Sequence, residues 1–173
     1  MKKVILFCTV VIVSMLSCTK DGTPGPSSES EVATDTRDQI IGVYSATTEV
    51  SSDEGNSTTT SMLTISKDPL NSKGLLVHDV DQDDNYIAYN YKLMVVAQDS
   101  NGLIFNVPSQ QVYLAKGLYT EWVGTAKYLL DGNKFDGGFL TSTKTLNYGF
   151  SGNKLVDGIV VPFTGQVTAV KTN

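Results

Sequence analysis

Past residue 39 the chain never sustains the i, i+3, i+4 apolar spacing of an amphipathic helix over three turns. Short alternating and β-branched runs recur there instead, separated by turn-forming residues. This is the strongest constraint on the fold, because a chain of strands must pair, cover or close its edges. The runs fall at residues 40–50, 57–67, 74–80, 86–97, 103–107, 111–114, 121–130 and 134–143, with a weaker one at 144–150 and a last at 159–170. In the first, Ile41, Val43, Ser45 and Thr47 share a face; in the fourth, Ile87, Tyr89, Tyr91, Leu93 and Val95 alternate. Polar loops at 51–56 and 98–102 join neighbours, and Asp131-Gly132-Asn133 is a strong hairpin signal because Asp-Gly accepts positive φ cheaply. Gly152-Asn153 and Asp157-Gly158 mark further turns, and Pro108 marks an edge, bend or strand end, since proline cannot donate to a sheet ladder. Nearly every connection is short. The fold class is therefore all-β, an antiparallel up-and-down barrel of about eight strands, with a β-sandwich as the alternative.

The amino terminus follows other rules. Lys2 and Lys3 precede an apolar run at 4–13 that is too short to span a bilayer, which needs about 20 residues. It has the length and flanks of a signal-peptide h-region. Ser14-Met15-Leu16-Ser17-Cys18 follows, and a small residue before cysteine at that place resembles the lipobox of bacterial lipoproteins. The resemblance implies cleavage before Cys18 and acylation of its thiol, palmitate included. Leu16 stands at −2 and Met15 at −3, where leucine is usual at −3, a relaxed form similar to that of Bacteroidota. Plain secretion is the alternative. Cys8 would leave with the signal and Cys18 would carry lipid, so no disulfide is expected. Several acyl chains make a stable anchor where one is marginal.

Residues 21–38 are rich in Gly, Pro, Ser and Glu and read as a flexible tether. The expected organisation is a signal peptide at 1–17, an acylated tether at 18–38 and an all-β domain at 39–173. Loss of Lys2 and Lys3, the only charged residues of the signal, takes the formal charge from −5 to −7. That balance excludes nucleic acid as a partner, since phosphate neutralisation needs clustered Lys and Arg. Thr19 after the cysteine matches no inner-membrane retention signal, and Lys20-Asp21 faintly resembles a Bacteroidota surface-export tag. The expected location is the outer membrane, on either leaflet.

Four short features resemble small Bacteroidota lipoproteins with calycin-like, or lipocalin-like, domains. They are Ile41-Gly42-Val43-Tyr44, Leu63-Thr64-Ile65-Ser66-Lys67, Val107-Pro108-Ser109-Gln110, and the stretch from Gly124 to the turn at Asn133. Lipocalins carry Gly-x-Trp near the first strand, and Tyr44 stands here instead of tryptophan. The resemblance implies architecture, a barrel that binds a small apolar or amphipathic ligand, and no assigned enzymatic activity.

Candidate site residues are few. Asp79, Asp81 and Asp83 occupy first, third and fifth positions as in a Ca²⁺ loop, but Asp84 stands where the sharp turn needs glycine and Asn90 where a bidentate glutamate belongs. A solvated turn is the plainer reading, and no metal or cofactor is expected. His78, the only histidine, points away from Asp79 in a strand, and no Gly-x-Ser-x-Gly supplies a nucleophile. Glu49, Glu54, Glu121 and Asp136 could form a hydrolytic carboxylate pair only if the fold brought two together. Aromatic residues are the better resource: Tyr89, Tyr91, Trp122 and Tyr128 either line a ligand cavity or fill the core. The reading is a non-enzymatic lipoprotein that binds a small ligand; the alternative is a filled-core interaction lipoprotein acting through its outer surface or as a subunit of a surface complex.

Overall fold

A computed structural model describes residues 35–82, 88–114, 118–125, 128–130 and 133–172. The expected signal peptide, Cys18, the expected tether up to residue 34, Asp83 and the expected Asp131-Gly132 turn lie outside the described residues. A 3₁₀ turn, η1 (Thr36–Gln39), precedes β1 (Gly42–Ser52), β2 (Gly55–Lys67), β3 (Gly74–Asp81), β4 (Ala88–Gln98), β5 (Gly102–Asn106) and β6 (Gln110–Leu114). Then come β7 (Leu118–Gly124), β8 (Tyr128–Leu130), β9 (Asn133–Phe135), β10 (Gly137–Leu140), β11 (Thr145–Val156) and β12 (Ile159–Lys171).

β1 to β5 form an antiparallel meander, β10 pairs with both β5 and β11, and β12 joins β11 to β1. The ring is closed, so the barrel expectation holds and the sandwich alternative falls. Along one wall β5 is continued by β6 past Val107-Pro108-Ser109. Next to it β7 is continued by β10, with residues 125–136 and the β8–β9 hairpin inserted between them. With these two broken strands counted whole, the wall is an eight-stranded up-and-down barrel.

Two runs and one turn depart from expectation. The runs at 121–130 and 134–143 each split, because the chain leaves the wall after Gly124 and returns at Asp136. Asp136 is buried there, and its Oδ2 accepts the Val107 N–H at 2.8 Å, which closes the break left beside Pro108. Gly152-Asn153 is no turn: Gly152 pairs with Phe163 and Asn153 with Pro162 inside the β11–β12 ladder. The turn comes at Asp157-Gly158, whose φ angles of 48° and 84° suit a two-residue hairpin.

Strand parity decides what is inside. In β1 the face carrying Val43, Ser45 and Thr47 points outward, while Tyr44 and Ala46 are buried. Tyr44 wins that choice because its ring packs edge-on to Phe139 and its hydroxyl donates to the Ile40 carbonyl. In β4 the expected alternation is observed, with Tyr91, Leu93 and Val95 buried. Half of the barrel is filled by apolar side chains, among them Leu63, Leu75, Leu93, Leu103, Phe105 and Leu146.

The filled end is also plugged. Ile40 is fully buried, and Arg37 of η1 lies across the β2–β3 connection. Arg37 Nη1 donates to the carbonyls of Asn71 at 2.8 Å and Gly74 at 3.0 Å and lies 3.4 Å from that of Asp68. Its Nε and Nη2 are held by the Asp35 carboxylate, which also caps η1. The described chain therefore begins at Asp35, with η1 packed against the β2–β3 connection. It enters at the floor, opposite the end where the β1–β2, β3–β4 and β11–β12 connections gather.

Candidate functional site

Inward positions change chemistry along the strands. On β1, Tyr44 and Ala46 give way to Thr48; on β2, Ile65 and Leu63 to Ser61 and Thr59; on β3, Leu75 and Val77 to Asp79 and Asp81. Register aligns these changes, since Ala46 faces Ser61, Ser61 faces Asp81, and Thr48 faces both Thr59 and Val167. The barrel is therefore apolar and filled below, and partly polar and open above.

A cup of about 210 Å³ occupies the open half. Its lining includes Ser61, Asp79 and Asp81, with Tyr89 next to Asp79 across the β3–β4 ladder, and Trp122, Phe150 and Phe163. Trp122 reaches it from β7 and stacks on Phe150, with ring centroids 4.0 Å apart and planes at 16°. Phe150 can lie there because its cross-strand partner is Gly165, where a Cβ would stand 2.3 Å from the ring. With Trp122 on its other face the ring has nowhere to retreat. Gly165→Ala is expected to destabilise the fold by about 1–2 kcal/mol and to shift the tryptophan emission, measured by denaturant unfolding and fluorescence; unchanged stability would refute this packing argument.

The electrostatics centre on Asp79. Burial raises its carboxyl from 3.8 to about 6, and the neighbouring Asp81 adds to the rise. The Tyr91 hydroxyl lies 3.5 Å from its Oδ2. Ser61 opposes the rise from close by without a well-formed hydrogen bond. Three polar atoms of residues that line the cup are buried from its surface and have no hydrogen-bond partner among the described residues: Asp79 Oδ1, Ser61 Oγ and Trp122 Nε1. Orphaned buried groups of this kind are uncommon and call for an explanation. At the rim, Lys154 is paired with Glu54 at 2.7 Å.

Of the predicted aromatic residues, Tyr89 and Trp122 meet at the cup, with centroids 6.3 Å apart. Tyr91 lies beneath it, buried, its hydroxyl bonded to that of Tyr148, and burial pushes both phenols well above their ordinary range. The side chain of Tyr128, on β8, lies outside the described residues. Asp79 and Asp81 belong to β3 and face the interior instead of a solvated turn, because they continue the inward parity of Leu75 and Val77. Asp83 is not described, and among the described residues no three His, Cys, Asp or Glu side chains cluster as a metal site. His78 faces outward and bonds Asn90 at 2.8 Å. The four carboxylates weighed for hydrolysis lie on different elements: Glu49 exposed on β1, Glu54 at the rim, Glu121 bonded to Ser109, and Asp136 in the wall. Ser61, Phe150 and Phe163 were not anticipated; the only sequence signal for Ser61 is a polar residue at the inward parity of Leu63 and Ile65.

Fold and site together define an eight-stranded antiparallel barrel with a filled floor and an aromatic, acid-lined cup at its mouth. No protein-family model matches the chain, and no curated protein matches it. Among solved structures, a redesigned β barrel aligns with 80% of this chain and 96% of its own, at a TM-score of 0.40 and 10% identity.

Proposed function

We propose that this chain is an outer-membrane lipoprotein, anchored through acylated Cys18, whose barrel takes a small amphipathic ligand into its mouth without chemistry. The observation that carries the reading is an open cup at the barrel mouth lined by Tyr89, Trp122, Phe150 and Phe163, with Asp79 and Asp81 also in its wall. An amphipathic ligand would cover the aromatic side chains of the cup and leave a polar group toward its acidic residues. The lipobox-like Ser17-Cys18 and the calycin-like motifs support the anchor and the kinship with Bacteroidota lipoproteins. No described helix is long and apolar enough to cross a membrane. The described chain begins at the floor, at the other end of the barrel from the cup.

The cup of about 210 Å³ is smaller than the ~300 Å³ lower bound of ordinary ligand pockets, so a long acyl chain does not fit. The packed floor also favours a second reading, a rigid scaffold working through its outside. Its natural contact is the β11–β12 tip, where Ile159 and Val160 are 67% and 64% exposed.

For the anchor, Cys18→Ser is expected to lose fatty-acid labelling and to move the protein from the membrane to the soluble fraction. Unchanged fractionation would overturn the lipoprotein assignment. For the cup, small amphipathic solutes are expected to change the emission of Trp122, the only tryptophan, in a saturable way. A silent tryptophan, with binding to envelope proteins lost in Val160→Asp, would favour the scaffold instead.

A further inference from the structure

We propose that the floor of the barrel is a membrane-contact face, which seats the domain on an anionic phospholipid surface. The inference concerns the end away from the cup and stands on the described domain without the acyl anchor. It starts from where apolar side chains remain exposed. Among the described residues eight large apolar side chains are exposed, and five of them gather at the floor. Val43 is the second residue of β1, Val170 the last but one of β12, Leu140 ends β10, and Val96 lies near the end of β4. Leu70, in the β2–β3 connection, is 91% exposed. Followed through the strand order, these positions fall all the way round the wall. A protein partner meets one side of a barrel, whereas a plane meets the whole edge of an end. The distribution suits an end set against a flat apolar boundary.

Charge separates along the same axis. Arg37, Lys67, Lys73, Lys144 and Lys171 lie at the floor and Lys92 reaches it, against Asp35, Asp38, Asp68 and Asp99. The acids there are engaged: Asp35 and Asp38 with Lys67, Asp68 with Lys92 at 3.0 Å, and Asp99 with the N–H groups of Asn101 and Gly102. The mouth has the reverse balance, with Glu49, Asp53, Glu54, Asp79, Asp81 and Asp157 against Lys154 among the described residues. An anionic surface attracts the floor and repels the mouth, and each lysine close to it strengthens the contact about fivefold. Apolar contact alone is slight, since Val43, Val96, Leu140 and Val170 are only 39–50% exposed. Charge and apolar contact act together, floor toward the lipid and mouth away from it.

The test uses the full chain with Cys8 and Cys18 both changed to serine, so that no acyl group contributes. An environment-sensitive dye is attached at Leu70→Cys, at Leu140→Cys or at Ile159→Cys, the last marking the mouth. Vesicles of phosphatidylethanolamine and phosphatidylglycerol are expected to shift both floor dyes to the blue and leave the Ile159 dye unchanged. Lys73→Glu should raise the vesicle concentration needed about tenfold, and about 0.5 M NaCl should abolish the response. A shift at Ile159 with silent floor dyes overturns the proposal and makes the β11–β12 tip the lipid contact. A shift at Leu70 without one at Leu140 overturns the ring and points to a one-sided protein contact. A response undiminished by Lys73→Glu or by salt points to the apolar run at 4–13 and also overturns the proposal. Silence at all three positions does the same; retention of the acylated parent on membranes would then leave the Cys18 anchor standing.

Discussion

Replacing Arg37 with alanine is expected to lower the thermal midpoint by roughly 10 °C, although the residue lies in a short 3₁₀ turn ahead of the first strand. The effect follows from what one planar guanidinium does at the floor. It donates to the Asn71 and Gly74 carbonyls, approaches that of Asp68, and is itself aligned by Asp35. Each of these carbonyls also accepts a backbone N–H, so the variant removes their second donor and, with it, the tie that holds η1 and the buried Ile40 to the β2–β3 connection. Arg37→Lys should recover only part of the loss, because a single ammonium cannot span Asp35 and the β2–β3 carbonyls together. Lys67 provides the contrast. Its ammonium pairs with Asp38 at 2.7 Å and Asp35 at 3.1 Å, but at the surface, so Lys67→Ala should move the midpoint by no more than roughly 2 °C. Equal shifts for the two variants, measured by scanning calorimetry, would refute the account of the floor.

Asp79→Asn is expected to stabilise the protein at neutral pH by about 2–3 kcal/mol. Burial holds the Asp79 carboxyl near 6, against 3.8 in the unfolded chain, so the folded state binds the proton more tightly. Below pH 4 both states are protonated and the group favours neither. As pH rises from about 4 to about 6 the unfolded chain ionises first, and stability falls; above 6 the penalty is complete and constant. Asparagine removes the charge and keeps the shape, so the difference between variant and parent should open across that window and plateau above it. Asp68, held low by the Leu70 N–H and by Lys92, acts in the opposite sense at lower pH and cancels in the comparison. Urea unfolding at pH 4, 5, 6 and 7.5 measures the difference. A difference independent of pH would show that Asp79 is not the titrating group.

How far the sequence reveals these features depends on the range of the interactions involved. Alternation along β4 shows which side of Tyr91 and Leu93 turns inward, because that information is local. The barrel could be read from short connections for the same reason. The cup could not, since it exists only where register sets Ala46 beside Ser61 and Ser61 beside Asp81, and register is a property of paired strands. Asp79 looks like a loop acid in an acidic stretch until β3 is seen to run through it. Arg37 sits in a polar segment that resembles a tether by composition, and its partners lie 31 to 37 residues away. Tyr44 is the reverse case: a bulky aromatic overrides the more numerous β-branched residues of the opposite face, and parity follows burial instead of count.

The wall is not equally strong around its circumference. Near the floor every neighbour is joined by a backbone ladder, like a continuous hoop. Higher up, where β5 gives way to β6, Gln110 bridges the gap to β4: it accepts the Lys92 N–H at 2.7 Å and donates to the Lys92 carbonyl at 3.0 Å. An outward load on the rim therefore concentrates on one seam held, among the described residues, by these two hydrogen bonds, while the base of the cask keeps its diameter. Any widening of the mouth begins at Gln110 and runs down toward Asp136, where the Val107 N–H ends it.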